Sequence, residues 1–292
     1  MNSGSPAQPA VGLPSNESHT PSMTPPATPT PVPPPRPTRR KPWLPLAAVV
    51  VAVGVVIATL FEAGGFNSNS SGSERVGIPV DYSAAVPLAA QYGQSASGGP
   101  WTVVAAEGIG VPTGITQPNT RFLAENGCTF SPAPGGTESV SVLATPSNAT
   151  PGKVASWIFF ATNASLNVVL LILVNEGTAS ALVLVTGCSE VANIAGLSAV
   201  SAQSVVDSTT VASEFDQSAG GASFLANHTS AVQLFSLIGP SASPSGSPGG
   251  WSIFYTSCGL TPTGGSGSWI QAGYDANSGA LLGGPSAGSG AC

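Results

Sequence analysis

The chain has 292 residues, and only 7% of them are charged, against about a quarter in an average soluble protein. Its formal net charge is −6, and four of its seven basic residues stand together in the segment Arg36–Lys41. Phosphate backbones are bound by clustered Lys and Arg, so the acidic remainder of the chain excludes nucleic acid as a partner.

The first sixty residues divide into two compositions. Residues 1–42 are rich in Pro, Ser and Thr and predict a disordered tail. Trp43 to Phe61 is an uninterrupted apolar run, and nineteen helical residues would span roughly 28 Å, close to the thickness of a bilayer core. The run is longer than the 7–15 apolar residues of a cleaved signal peptide, which is one alternative interpretation; a buried core helix is the other.

The basic flank predicts the orientation of this run, because positive charge resists translocation. We therefore predict a single-pass signal anchor over residues 43–61, in contact with the lipid bilayer of the cell membrane. The tail would be cytoplasmic and everything after residue 61 extracytoplasmic. The Gly, Asn and Ser content of residues 62–80 predicts a flexible linker.

The part after the run is acidic and contains all the cysteines. It carries three basic residues and twelve carboxylates, a charge of about −9 (3 minus 12). An even number of cysteines in an oxidising compartment predicts two disulfides, and no CxxC spacing points to a metal site. Three pairings are possible, of which we favour Cys128–Cys188 and Cys258–Cys292. Four sequons predict glycosylation sites, although single sequons also arise by chance: Asn69, Asn148, Asn163 and Asn227.

A pattern then occurs twice. Gln91–Trp101 and Glu214–Phe224 share the order aromatic-x-Gln-Ser-Ala-x-Gly, and each closes a predicted helix, over residues 82–96 and 208–219. Asp207 or Ser208 suits the N-cap of the second helix.

Each predicted helix is followed by a strand that begins with tryptophan, Trp157 or Trp251. The apolar strand Val168–Val174 turns at Asn175-Glu-Gly, a hairpin signature. We therefore predict an α+β fold in which two similar helix-on-antiparallel-sheet modules, residues 81–196 and 197–292, follow the linker.

The second of these modules resembles a known family. Trp251-Ser-Ile-Phe-Tyr255 and Tyr274-Asp-Ala-Asn-Ser-Gly-Ala-Leu281 are similar to the tryptophan strand and the final hairpin of PepSY modules. The resemblance implies a small cystatin-like fold, with a helix on an antiparallel sheet. It also implies an extracytoplasmic setting and a role in binding or restraining peptidases.

Candidate chemistry is sparse, and we assign no catalytic, cofactor or metal residues. His228 is the single histidine after the apolar run and reads as a surface residue. Asp207 and Glu214 could share a helix face, but an exposed acidic face explains them better. Asp275–Gly279 resembles the start of a calcium loop, which a hairpin turn also explains.

These observations favour a non-enzymatic, membrane-anchored, extracytoplasmic protein with a binding or envelope-structural role. A peptide or protein ligand is favoured over a sugar, because exposed strand edges suit β-augmentation. The alternative is an envelope hydrolase whose carboxylates are brought together by the fold.

Overall fold

The computed structural model describes residues 75–118, 128–137, 139–187, 189–242, 249–259 and 265–291. Four helices lie within them: α1 (Tyr82–Ser95), α2 (Ser189–Ala195), α3 (Ser208–Gln217) and α4 (Ala219–Asn227). The first seven strands are β1 (Thr102–Gly110), β2 (Ile115–Pro118), β3 (Thr129–Pro132), β4 (Ser139–Val142), β5 (Ser156–Thr162), β6 (Val169–Asn175) and β7 (Thr178–Thr186). The last four are β8 (Val232–Ile238), β9 (Gly250–Thr256), β10 (Ser266–Asp275) and β11 (Leu281–Ala291).

Nine of these strands form one antiparallel sheet in the order β11-β10-β9-β8-β1-β5-β6-β7-β3, and β2 pairs with β4 in a small second sheet. The predicted fold class is therefore wrong. Instead of two helix-on-sheet modules, the described residues build a single large sheet with few helices. The reason is the pairing of β1 with β8, which joins the strands of both halves of the chain into one hydrogen-bonded ladder.

Within this sheet the two halves of the chain have the same topology. In each half, a helix precedes four strands, and these four strands lie side by side in the sheet in the order of the chain. In the first half these strands are β1, β5, β6 and β7, and in the second they are β8, β9, β10 and β11. The first strand of one half lies beside the first strand of the other, so the halves are arranged about the β1–β8 pair.

The helices before these strands begin at aspartates. Asp81 accepts a hydrogen bond from the Ala84 N–H and caps α1, and Asp207 accepts one from the Thr209 N–H and caps α3. The two caps meet, because Ser83 N donates to Asp207 Oδ1 at 2.9 Å. This contact fixes the two helices to each other over the middle of the sheet.

The two sides of the sheet differ. We call the side that carries α1, α3 and α4 the helix face; its core includes Trp157, Trp251 and Phe215. We call the other side the outer face. Over the first half, the outer face is packed by α2, which contacts β5 and β6. Over the second half, Phe254 and Trp269 on the outer face are half-buried.

The predicted membrane anchor is also corrected. Among the residues that the structure describes, no helix combines the length and the apolar character that a membrane span requires. The run from Trp43 to Phe61 lies outside those residues, as do the predicted tail and most of the linker. The structure therefore does not support the prediction of a single-pass protein of the cell membrane.

Candidate functional site

The predicted cysteine and sequon residues fall partly outside the described ranges. Cys128 and Cys258 are described, and neither carries a free thiol. Cys188 and Cys292 lie outside, so no disulfide between two described cysteines is seen and the favoured pairing stays a prediction. The sequon at Asn69 also lies outside.

The three described sequons differ in the state of their amides. Asn148 is exposed in a turn, and Asn227 is exposed at the end of α4, where its Nδ2 donates to the Ser223 carbonyl at 2.8 Å. Asn163 is half-buried, and its Nδ2 donates to the carbonyls of Gly98 at 2.8 Å and Pro100 at 3.2 Å. A glycan on Asn163 Nδ2 would replace one of its two hydrogens and so remove at least one of these hydrogen bonds; the amide is used structurally in the folded protein.

Of the titratable residues singled out in the sequence, His228 and Asp207 have structural partners. His228 caps the end of α4 and lies against Phe224, with ring centroids 4.5 Å apart. Asp207 caps α3 and contacts Ser83, whereas Glu214 is exposed. The fold therefore does not bring Asp207 and Glu214 together as a working pair.

Asp275 serves the turn between β10 and β11. Its Oδ1 accepts hydrogen bonds from the Asn277 N–H and from both the N–H and the hydroxyl of Ser278, at 2.8–3.0 Å. Burial works to raise the pKa of Asp275, but these hydrogen bonds outweigh it and lower the pKa below its usual value. The hairpin interpretation of this segment is the one that the geometry supports.

One acidic residue, Glu107, was missed by the sequence analysis. It lies in β1, is fully buried, and neither of its carboxylate oxygens has a hydrogen-bond partner among the residues that the structure describes. Burial raises the pKa of Glu107 well above its usual value, because a charged carboxylate is poorly solvated there. The available signal was a single carboxylate in an otherwise apolar strand, Thr102–Gly110.

A row of small residues leads away from Glu107 across the outer face of the second half. Directly opposite Glu107 on β8 is Ser236, followed by Ser252 on β9 and Gly273 on β10. Burial decreases along this row, from 7% exposed at Ser236 to half-buried at Ser252 and Gly273. On the outer face of the second half, small side chains thus lie next to the large aromatic ones.

Those aromatic side chains are Phe254 and Trp269, which we call the aromatic pair. Their ring centroids are 6.1 Å apart and their planes differ by 25°. The indole of Trp269 extends from β10 over Gly288 on β11, where a Cβ built on the glycine would lie 2.6 Å from the indole Cζ2. Because Gly288 has no side chain, a half-exposed aromatic surface reaches the outermost strand of the sheet.

β11 is that outermost strand, and in the described part of the chain its single sheet neighbour is β10. Its ladder with β10 is regular from Ser286 to Ala291 and irregular before Ser286, next to Pro285. The side chains of residues 286–290 are exposed, apart from the half-buried Gly288. We call Ser286–Ala291 the open edge.

The hydrogen bonds of β10 indicate which backbone groups of the open edge are unused. Ser257 N donates to Ser268 O at 2.9 Å, so the polar backbone groups of Ser268 point towards β9 and those of Trp269 towards β11. Trp269 pairs with Gly288, whose N–H and C=O consequently point inward. By alternation, the N–H and C=O of Ala287 and Ser289 point away from the sheet.

Comparison with known proteins gives no guide to the function: no family model, no curated protein and no solved structure matches this chain. The resemblance of the second half to PepSY modules is not tested by these results and stays a prediction. The candidate site therefore rests on its geometry alone: an open edge beside a half-buried aromatic pair.

Proposed function

We propose that this protein is a non-enzymatic binding protein that holds an extended peptide segment of a partner at the open edge. The observation that carries the proposal is the outward direction of the backbone groups of Ala287 and Ser289. In β-augmentation, main-chain hydrogen bonds of this kind supply the affinity, and alternate side chains supply the specificity.

The composition of β11 supports this use of the strand. Exposed edges of natural sheets are commonly protected by charged residues, bulges or proline, which prevent uncontrolled pairing. β11 has such a feature at one end, where the irregular ladder and Pro285 lie. From Ser286 onward the strand consists of Ser, Ala and Gly, so a docking strand meets no charged or bulky side chain.

The direct test is amide hydrogen exchange on the full chain, with an excess of an acetylated and amidated Thr/Val hexapeptide as the probe. In the free protein, the amides of Ala287 and Ser289 should exchange faster than that of Gly288, which is bonded to β10. The peptide should slow exchange at Ala287 and Ser289 and leave Gly288 little changed.

Two variants make this test specific to the edge. Ser289→Pro removes one outward N–H and should abolish binding of the peptide. Ser289→Ala keeps the N–H, removes the hydroxyl, and should bind as the parent does. Undiminished binding by the Ser289→Pro protein, or peptide-induced protection that maps to other strands, would exclude the open edge as the binding site.

A further inference from the structure

The aromatic pair identifies the kind of peptide that would occupy the open edge. We infer that the edge selects a cationic peptide, with an arginine or lysine side chain stacked on Trp269. The inference rests on the proposed function, since it names the side chain that a docked strand would place at one position.

The position follows from strand geometry. Gly288 turns its N–H and C=O towards β10, so the residue of a docked antiparallel strand opposite Gly288 would form a non-hydrogen-bonded pair with it. Such pairs are the closer ones, with Cα atoms about 4.5 Å apart. Paired residues share a face of the sheet, so that residue would direct its side chain to the outer face, where the indole of Trp269 lies over Gly288.

The chemistry of the surface favours a cation at this position. Residues 197–292 contain no lysine and no arginine, but they contain four carboxylates: Asp207, Glu214, Asp216 and Asp275. This half of the chain therefore offers no charge that would repel a cation. The face of an indole attracts ammonium and guanidinium groups, and the planar guanidinium also stacks on it.

The basic groups of the described first half are engaged in ion pairs of their own. Arg75 is paired with Glu176 at 2.6 Å, and Lys153 is paired with Asp81 at 3.4 Å. Both lie on segments before the second half begins. Asp207, Glu214 and Asp216 belong to the helix face and Asp275 to the β10–β11 turn, so the preference for a cation rests on the indole of Trp269 and on the lack of a lysine or arginine side chain in the second half.

The experiment compares two fluorescently labelled pentapeptides that differ only at the centre: Thr-Val-Arg-Val-Thr and the same peptide with citrulline in place of arginine. Citrulline keeps the shape and planarity of arginine but is neutral. We expect the full chain to bind the arginine peptide about two- to fivefold more tightly at low salt, the size of one exposed cation–π contact.

Variants then separate this inference from the proposed function. Trp269→Ala should bring the affinity ratio of the two peptides close to one, while Trp269→Phe should retain part of the preference and serve as the variant that keeps an aromatic ring. Glu176→Gln removes a negative charge from the first half and should leave the ratio unchanged. Circular dichroism checks that each variant is folded.

The outcomes are distinguishable. If both peptides bind equally and Ser289→Pro abolishes both, the open edge binds peptides but the cationic preference is wrong. If the preference for arginine survives in both Trp269 variants, Trp269 is not the cation site. If Ser289→Pro has no effect on either peptide, the proposed function itself fails.

Discussion

Trp157 and Trp251 occupy equivalent places in the two halves of the chain and touch each other at the centre of the helix face. Their ring centroids are 6.4 Å apart at an angle of 72°. The indole N–H of Trp157 donates to the carbonyl of Val80 at 3.0 Å, and that of Trp251 donates to the carbonyl of Val206 at 2.8 Å. Each accepting residue directly precedes the aspartate that caps a helix, so each tryptophan fixes the start of a helix to the sheet.

This equivalence predicts equal effects of equivalent substitutions. Trp157→Phe and Trp251→Phe each remove an indole hydrogen bond and leave a cavity, and each should lower the free energy of unfolding by about 2–3 kcal/mol. Urea denaturation of the purified chain measures the change. The half-exposed Trp269→Phe is the control and should cost about 1 kcal/mol or less. A large difference between the two central variants would contradict their equivalent roles.

Asp207 should contribute more than an ordinary helix cap, because it also accepts the Ser83 N–H at the start of the other helix. We expect Asp207→Ala to lower the free energy of unfolding by about 2 kcal/mol, whereas loss of an N-cap alone lowers it by about 1 kcal/mol. Asp207→Asn keeps an acceptor oxygen and should retain most of the stability. Thermal unfolding of both variants tests this, and an alanine variant as stable as the parent would refute it.

Because Glu107 is buried, we expect the free energy of unfolding to decrease as pH rises. Burial raises the pKa of Glu107 in the folded protein, so the folded state holds a proton that the unfolded state loses above its own pKa of about 4.3. Between these two pKa values this residue should reduce stability by about 1.4 kcal/mol for each pH unit. Below pH 4 the effect should vanish, because the carboxyl is protonated in both states.

The measurement is a set of urea unfolding curves between pH 4 and pH 8, for the parent and for Glu107→Leu. Leucine has a similar volume and no charge, so this variant should be more stable than the parent at pH 7 and should show a flatter dependence on pH. Parallel pH profiles for the two proteins would show that Glu107 is not the group responsible.

Gly288 and Gly290 form a matched pair on the open edge. A methyl group at Gly288 would meet the indole of Trp269, whereas at Gly290 nothing lies within 4 Å of a built Cβ. Gly288→Ala should therefore displace the indole, cost about 1–2 kcal/mol and change tryptophan fluorescence. Gly290→Ala should change stability by less than about 0.5 kcal/mol. Equal effects at the two positions would mean that the indole does not cover Gly288.

Local patterns predicted much of the secondary structure. The hairpin expected at Asn175 is present, with Glu176 and Gly177 between β6 and β7, both at positive φ. Helices occur where the repeated pattern indicated them, at Tyr82–Ser95 and Ser208–Gln217. Periodicity and capping residues are local signals, and they are sufficient for elements of this length.

The assembly of these elements was not predictable in the same way. Whether β1 and β8 end two separate sheets or pair in the middle of one sheet depends on contacts between residues more than a hundred positions apart, such as Ala106 and Leu237. Both arrangements require the same apolar strands, so the pattern of apolar residues does not distinguish between them. The open edge could not be predicted from the sequence either, because the direction of the Ser289 N–H depends on the register with β10 and not on the residue itself.

The antiparallel pairing of β1 with β8 is the arrangement that two identical subunits would form across a two-fold axis. A shorter polypeptide carrying one helix and four strands would present the same strand as a bare edge, and pairing with its own copy would satisfy that edge. The present chain thus places two halves of similar topology as the subunits of a two-fold dimer would be placed, within one polypeptide. The two halves differ at their outer ends, because β3 covers β7 whereas β11 has no further neighbour in the described chain, so β11 can have a role that its counterpart does not share.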